Sequence, residues 1–335
     1  MSTTSPKRPV SGMTAVVIGG GVIGASWAAL FLVNGLKVVL SDPDAAIGNQ
    51  VRGIIQAALP ALQALGYEVL DAMRQLSFQS DTAKAVAQAD VVQECGPETV
   101  TFKRALWKTV EAAAPKDALL CSSSSTIPAS VQYTEMVDRS RLLIGHPFNP
   151  PHLMPLVEVV PSPETQADIV ARALSFYRSV GKVALEIKKE IPGFVANRLQ
   201  AAIFQEAVYL VAEGVVTLDQ LDDIVTSSLG IRWATSGPFL SFHLGGGLGG
   251  LAHFIDHLGP AMEAAWGHLG KARLDGVTKT LLLHQLAESY GAGSFPHLAE
   301  VRDSKEVAVI RGLAQARSPT AYPHRGDGES VPPIV

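Results

Sequence analysis

TAVVIGGGVIGASWAALFLVNGLKVVLSD, residues 14–42, decides the fold. Ala15 to Ile18 is a short apolar run of the buried-strand kind, and Gly19, Gly21 and Gly24 after it satisfy G-x-G-x-x-G. An apolar helical pattern runs from Val22 to Val33 and stops at Asn34-Gly35, a C-terminal signal. Lys37 to Leu40 is a second strand, with Asp42 just past it. In this arrangement Gly19 permits a tight turn, Gly21 admits a pyrophosphate to the backbone, and Gly24 lets helix and strand pack closely. The helix N-terminus, opening at Val22 and Ile23, offers amides and a positive dipole to phosphate. Asp42 is placed to accept hydrogen bonds from the adenosine ribose and to repel a 2′-phosphate. NAD is therefore expected over NADP.

Outward from this unit the alternation continues. Helical periodicity covers Ala45 to Leu65, and strands are expected at Leu76–Phe78, Ala89–Glu94 and Leu119–Ser122, with a helix from Val100 to Ala114. A further helix from Glu164 to Val180 and a strand from Lys182 to Ile187 complete a doubly wound parallel sheet of the Rossmann type. Ligands of such sheets lie at the strand C-termini. Glu98, the serine run Ser122 to Ser125, His146 and Asn149 all fall there.

Between the last two strands stands LLIGHPFNPPHLMPLVEVV, residues 142–160. One apolar run ends at His146, a Pro- and Asn-rich turn follows, and a second run carries Glu158 between Val157 and Val159. A carboxylate in such a run is costly to bury without an answering group. His146 is that group, since a turn brings two neighbouring runs side by side. An imidazole held by a buried carboxylate is a general base suited to neutral pH.

Past Glu190-Ile191-Pro192-Gly193-Phe194 the chain turns helical by period, beginning with Val195 to Glu213, so a smaller all-helical domain starts near Pro192. Asn197 sits in the opening turn of that helix. Residues 230–250, GIRWATSGPFLSFHLGGGLGG, read as its least regular part. Arg232 there suits bidentate carboxylate recognition, and a solvated arginine is the alternative. His253 and His257 stand four apart without a third ligand at metal-site spacing, so no metal is expected. The expected organisation is a disordered leader (1–12), a dinucleotide-binding domain (13–191), a helical substrate and dimerisation domain (192–317) and a flexible tail (318–335).

The bulk numbers restrict the function. The chain has 335 residues, 47% hydrophobic and 17% charged, enough for two domains. A net charge of −4 gives no reason to expect nucleic acid or an acidic membrane surface. No run reaches transmembrane length, the first residues lack a signal-peptide core, and two cysteines, Cys95 and Cys121, suit a reducing compartment. A cytoplasmic enzyme is expected.

These motifs resemble the 3-hydroxyacyl-CoA dehydrogenase superfamily: GHPFNPPHLMPLVEVV, the following IPGFVANRL and the glycine-rich opening carry the likeness, which spans about Met13 to Arg317. The HPFNPP form and GIRWATSGPFLSFHL are more similar to its L-gulonate 3-dehydrogenase (lambda-crystallin) and L-carnitine dehydrogenase branch, whose members act on free 3-hydroxy acids. The resemblance implies NAD-dependent oxidation at C3, with His146 as catalytic base and Glu158 as its orienting carboxylate. It implies that Asn197 and one serine of the run bind the substrate oxygen. Counting from Cys121 favours Ser124, with Ser123 and Ser125 open. It places Glu98 and Lys103 near the nicotinamide, with Ser124 and Asn149 also in the cofactor set, and gives Arg232, beside Trp233, to the substrate carboxylate. A homodimer is implied as well. L-Gulonate, L-carnitine and 3-hydroxybutyrate stay open as substrates. Two alternatives stand beside this: a short-chain 3-hydroxyacyl-CoA dehydrogenase, and a non-catalytic crystallin-like or NAD-sensing protein.

Overall fold

A computed structural model describes residues 10–44, 46–291 and 295–316. Most of the expected leader and all of the expected tail from 318 lie outside these residues. Of the leader, Val10 to Gly12 form a turn, and Val10 is buried in the core.

The chain divides into two compact units, one comprising residues up to Val195 together with those from Asp303, the other Ala196–Arg302. The first is built from β1 (Thr14–Ile18), α1 (Val22–Val33), β2 (Lys37–Ser41), α2 (Ile47–Ala64), β3 (Leu76–Phe78), α3 (Thr82–Val86) and β4 (Val91–Glu94). Then follow α4 (Val100–Ala113), β5 (Leu119–Ser122), α5 (Ala129–Gln132), β6 (Leu142–Pro147), β7 (Leu156–Pro161), α6 (Ala167–Ser179) and β8 (Val183–Glu186). The eight strands form one sheet in the order β3-β2-β1-β4-β5-β6-β7-β8. The expected parallel sheet holds through β6. There the chain returns through a loop instead of a crossover helix, so β7 pairs antiparallel to β6 and β8 runs parallel to β7.

Both faces are covered, which is why the central strands are continuous apolar runs with no alternation. Ala15 and Val17 of β1 belong to one core with Trp27, Phe31 and Tyr177, while Val16 and Ile18 belong to another with Trp107, Val110 and Phe194. Successive strand residues point to opposite faces, so each strand feeds both cores.

The second unit is helical: α7 (Ala196–Ala212), α8 (Leu218–Ser227), α9 (Leu229–Thr235), α10 (Pro238–Gly245), α11 (Gly250–Trp266), α12 (Gly276–Tyr290) and the start of α13 (Phe295–Ala316). From Asp303 onward α13 belongs to the sheet unit, where Val307 and Ile310 pack on the Trp27 core. The expectation of irregular structure over 230–250 is corrected, because most of it forms α9 and α10. Ser-Gly-Pro starts α10 with Pro238 at its first position, where a missing N–H costs nothing. Among the described residues no helix is long and apolar enough to cross a membrane.

Candidate active site

The β6–β7 register sets His146 directly opposite Glu158. Both side chains lie on the face of Ile144 and Val160, in the core that contains Phe194. His146 Nδ1 is 2.8 Å from Glu158 Oε2, and the residues are 4% and 1% exposed. Glu158 Oε1 accepts the backbone N–H of Val195 at 3.0 Å, so both carboxylate oxygens are answered. With the ring proton on Nδ1, the bare nitrogen is Nε2, which makes no hydrogen bond among the described residues.

Two aromatic rings enclose the imidazole: Phe148 edge-on at 5.2 Å between centroids and Phe194 at 5.4 Å. Phe194 reaches it because Gly193 (φ 74°) and Phe194 (φ 47°) are both left-handed. For a bulky residue that conformation costs on the order of 1 kcal/mol, held here by full burial of the ring. The sequence marked Pro192-Gly193 as a break. Nothing in it marked Phe194 or Val195 as partners of the pair.

Beside His146, at the ends of β4 and β5, lies a second buried cluster. Lys103 is 1% exposed, and its ammonium meets Glu94 Oε1 and Oε2 at 2.8 and 2.9 Å and Glu98 Oε2 at 3.2 Å. The ammonium thus donates to Glu94 and pairs with Glu98, and Lys103 acts on anything above it through these two carboxylates. Glu94 also accepts Ser122 Oγ–H and the Gly96 N–H. Glu98 Oε1 accepts from Ser124 Oγ at 2.5 Å, Ser125 N, Thr126 N and Thr126 Oγ1, closing the turn after β5. Burial works to raise the Glu98 carboxyl, but Ser124, the Lys103 ammonium and Thr126 together hold it at about 2. Ser124 is 2% exposed with its proton on Glu98, whereas Ser125 is partly open. Glu94 went unnoticed in the sequence because a Glu closing an apolar run resembles an ordinary strand end.

The glycine loop fits a dinucleotide. Gly19 has φ +101°, and a Cβ there would stand 2.6 Å from the Cys95 carbonyl oxygen; one on Gly24 would stand 1.9 Å from the Gly19 oxygen. Gly21 has open space around it and is the N-cap of α1 with no side chain capping the helix. Free helix N-terminal amides beside open space are what a pyrophosphate needs. Val22 is exposed and Ile23 partly buried at this opening. Asp42 Oδ2 accepts the Gly20 N–H at 2.8 Å and Oδ1 the Asp44 N–H at 3.0 Å. Asp42 therefore also shapes the loop, with lone pairs left for a ribose diol. Asn149 is exposed in the loop after β6.

Asn197, Arg232 and Trp233 belong to the helical unit. Asn197 is the second residue of α7 and half-buried. Arg232 and Trp233 are exposed on α9.

Residues 14–191 match the family described as 3-hydroxyacyl-CoA dehydrogenase, NAD binding domain, and residues 193–280 match its C-terminal domain. An L-carnitine dehydrogenase of Streptomyces griseus is 40% identical over 311 residues, 93% of each chain. A 3-hydroxyacyl-CoA dehydrogenase of Gibberella moniliformis is 43% identical over 319 residues, 92% of this chain and 98% of that one. Among solved structures, the NAD+-dependent 5-formyl-3-hydroxy-2-methylpyridine 4-carboxylic acid 5-dehydrogenase superposes with a TM-score of 0.77 at 27% identity, covering 92% of this chain and all of that one.

Proposed function

Since the chain belongs to the 3-hydroxyacyl-CoA dehydrogenase family, we propose that it interconverts the alcohol and ketone at C3 of a small free L-3-hydroxy acid with NAD, L-carnitine being the foremost candidate. The observation that carries this is the buried His146–Glu158 pair with Nε2 left bare. In the oxidative direction His146 Nε2 takes the hydroxyl proton. Glu158 holds Nδ1–H and stabilises the imidazolium that forms. Gly19, Gly21, Val22, Ile23, Gly24 and Asp42 would hold the dinucleotide, with Glu98 (held by Lys103 and Ser124) and Asn149 nearer the nicotinamide. When bound, NAD supplies the hydride acceptor. Asn197 and a serine hydroxyl steady the substrate oxygen. Ser124 is committed to Glu98, so we assign that hydroxyl to Ser125.

L-Carnitine carries a carboxylate and a quaternary ammonium on either side of its hydroxyl. A guanidinium suits the first and an aromatic face the second, roles that fall to Arg232 and Trp233. Several relatives bear the carnitine name, at 34–40% identity. The Gibberella relative supports a second reading, acyl-CoA thioesters. We further propose a homodimer, which would cover apolar side chains of the helical unit such as Phe239 (77% exposed) and Trp266 (64%). A cytoplasmic location suits the two free thiols, Cys95 and Cys121. The test is NADH formation over L-carnitine, L-gulonate and L-3-hydroxybutyrate, set against NADH oxidation by acetoacetyl-CoA, with sedimentation for the dimer. Turnover confined to acetoacetyl-CoA would replace the free-acid assignment, and no turnover anywhere would revive a non-catalytic role.

A further inference from the structure

The loop joining His146 to Glu158 is anchored from the opposite side of the sheet. His152, near its middle, is 7% exposed and grips one side chain twice. Its backbone N–H donates to Ser26 Oγ at 2.9 Å, and its Nδ1 lies 2.8 Å from the same oxygen. Ser26, itself 1% exposed, is the fifth residue of α1, the helix whose N-terminus the glycine loop opens. A hydroxyl oxygen that accepts the amide has its own proton to give to Nδ1. The ring proton then sits on Nε2, the nitrogen 4.0 Å from Asp303 Oδ2 on α13.

The next residue of α1 repeats the arrangement. The Lys182 ammonium lies 5.3 Å from the Trp27 ring centroid and donates to the carbonyl oxygens of Met154, at 2.8 Å, and Pro151. Consecutive residues of the cofactor helix thus hold the loop on both sides of His152. Trp27 and Leu153 lie in the core on the face away from His146. An apolar side chain at 152 would fill this space without buried polar groups. A serine–histidine pair adds direction, because its hydrogen bonds are made in one geometry only.

We propose that His152 is a positioning residue of the dehydrogenase reaction: through Ser26 it keeps the loop that follows His146 and leads to Glu158 in register with the helix that receives the dinucleotide. Base and hydride acceptor must meet the same carbon and oxygen, and a misplacement of about 1 Å can cost about 10²-fold. The proposal rests on the chain being an NAD-dependent dehydrogenase, not on which acid it oxidises.

The experiment compares Ser26→Ala, His152→Leu and His152→Asn in the full chain. Asn places an oxygen near where Nδ1 stood. Ser26→Ala and His152→Leu should lower kcat by about 10- to 100-fold with NADH affinity, read by fluorescence, kept within about threefold. His152→Asn should recover most of the loss. Unchanged kcat with only a lower Tm, or equal losses in His152→Leu and His152→Asn, overturns the proposal, as does a fall in NADH affinity that matches the fall in kcat. A second readout needs no substrate: imidazole nitrogen NMR, with His146→Gln and His152→Leu for assignment. The His146 shift induced by NADH should shrink in Ser26→Ala, and a wild-type shift there overturns the proposal. Failure of the wild type to oxidise L-carnitine bears on the substrate alone.

Discussion

Glu158 Oε2 lies 2.8 Å from His146 Nδ1 because the two residues are direct partners in the β6–β7 ladder. The imidazole is thus oriented by backbone pairing as well as by its own hydrogen bond. Replacing His146 by Gln should lower kcat by about 10²- to 10⁴-fold, the usual worth of a positioned general base, with NADH binding intact. Near-normal turnover in that variant, measured by steady-state kinetics, would remove His146 from the base role.

Asp42 holds the Gly20 and Asp44 amides, and the proposed function gives it a second task, accepting from the adenosine ribose. Asp42→Ala should therefore weaken NADH binding and also erode the preference for NAD over NADP. Hydrogen bonds to a charged group are worth about 1.5–3 kcal/mol, so the preference should fall by roughly 10- to 100-fold. The ratio of kcat/KM for the two cofactors decides it. An unchanged ratio would leave Asp42 a loop-shaping residue only.

Lys103 and Glu94 are both fully buried, so neither tolerates loss of the other. Lys103→Met leaves Glu94 uncompensated and should cost about 3–5 kcal/mol in urea unfolding. Glu98, held at about 2 against an ordinary 4.5, adds a pH signature. Its folded carboxyl binds a proton less readily than the unfolded one, so its stabilising contribution is complete above pH 4.5 and disappears as pH falls toward 2. The Tm difference between wild type and Glu98→Gln should shrink over that interval. A difference independent of pH would mean the carboxylate is not stabilised by its neighbours.

Lys182 gives the opposite slope. Burial draws its ammonium from 10.5 down to about 7 in the fold. Across that interval the unfolded chain holds a proton that the folded chain has released, so stability from this site rises with pH. Lys182→Met abolishes the titration, and wild type should gain in Tm relative to the variant from pH 7 to 10.5. A flat difference would place an unperturbed amine at this position.

Much of the sheet was legible because its evidence is local. The glycine spacing after Ile18, the stop at Asn34-Gly35 and the apolar run at Leu119–Ser122 are properties of a few consecutive residues, and the observed β1, α1 and β5 match them within a residue. Residues 230–250 misled because glycine, serine and proline also begin helices, as Pro238 does. α3 was missed because five residues, Thr82–Val86, are too few to show a period.

By itself the sequence determined the dinucleotide-binding opening and the pairing of His146 with Glu158, since both follow from short-range spacing and from a turn between two apolar runs. Only the tertiary structure decided that Lys103 is spent on Glu94 and Glu98, that Phe194 and Val195 close around the His146–Glu158 pair, and that Ser26 holds His152 across 126 positions. The physical reason is that a buried polar group must find a partner, and packing, not chain order, selects which donor or acceptor lies within about 3 Å of it.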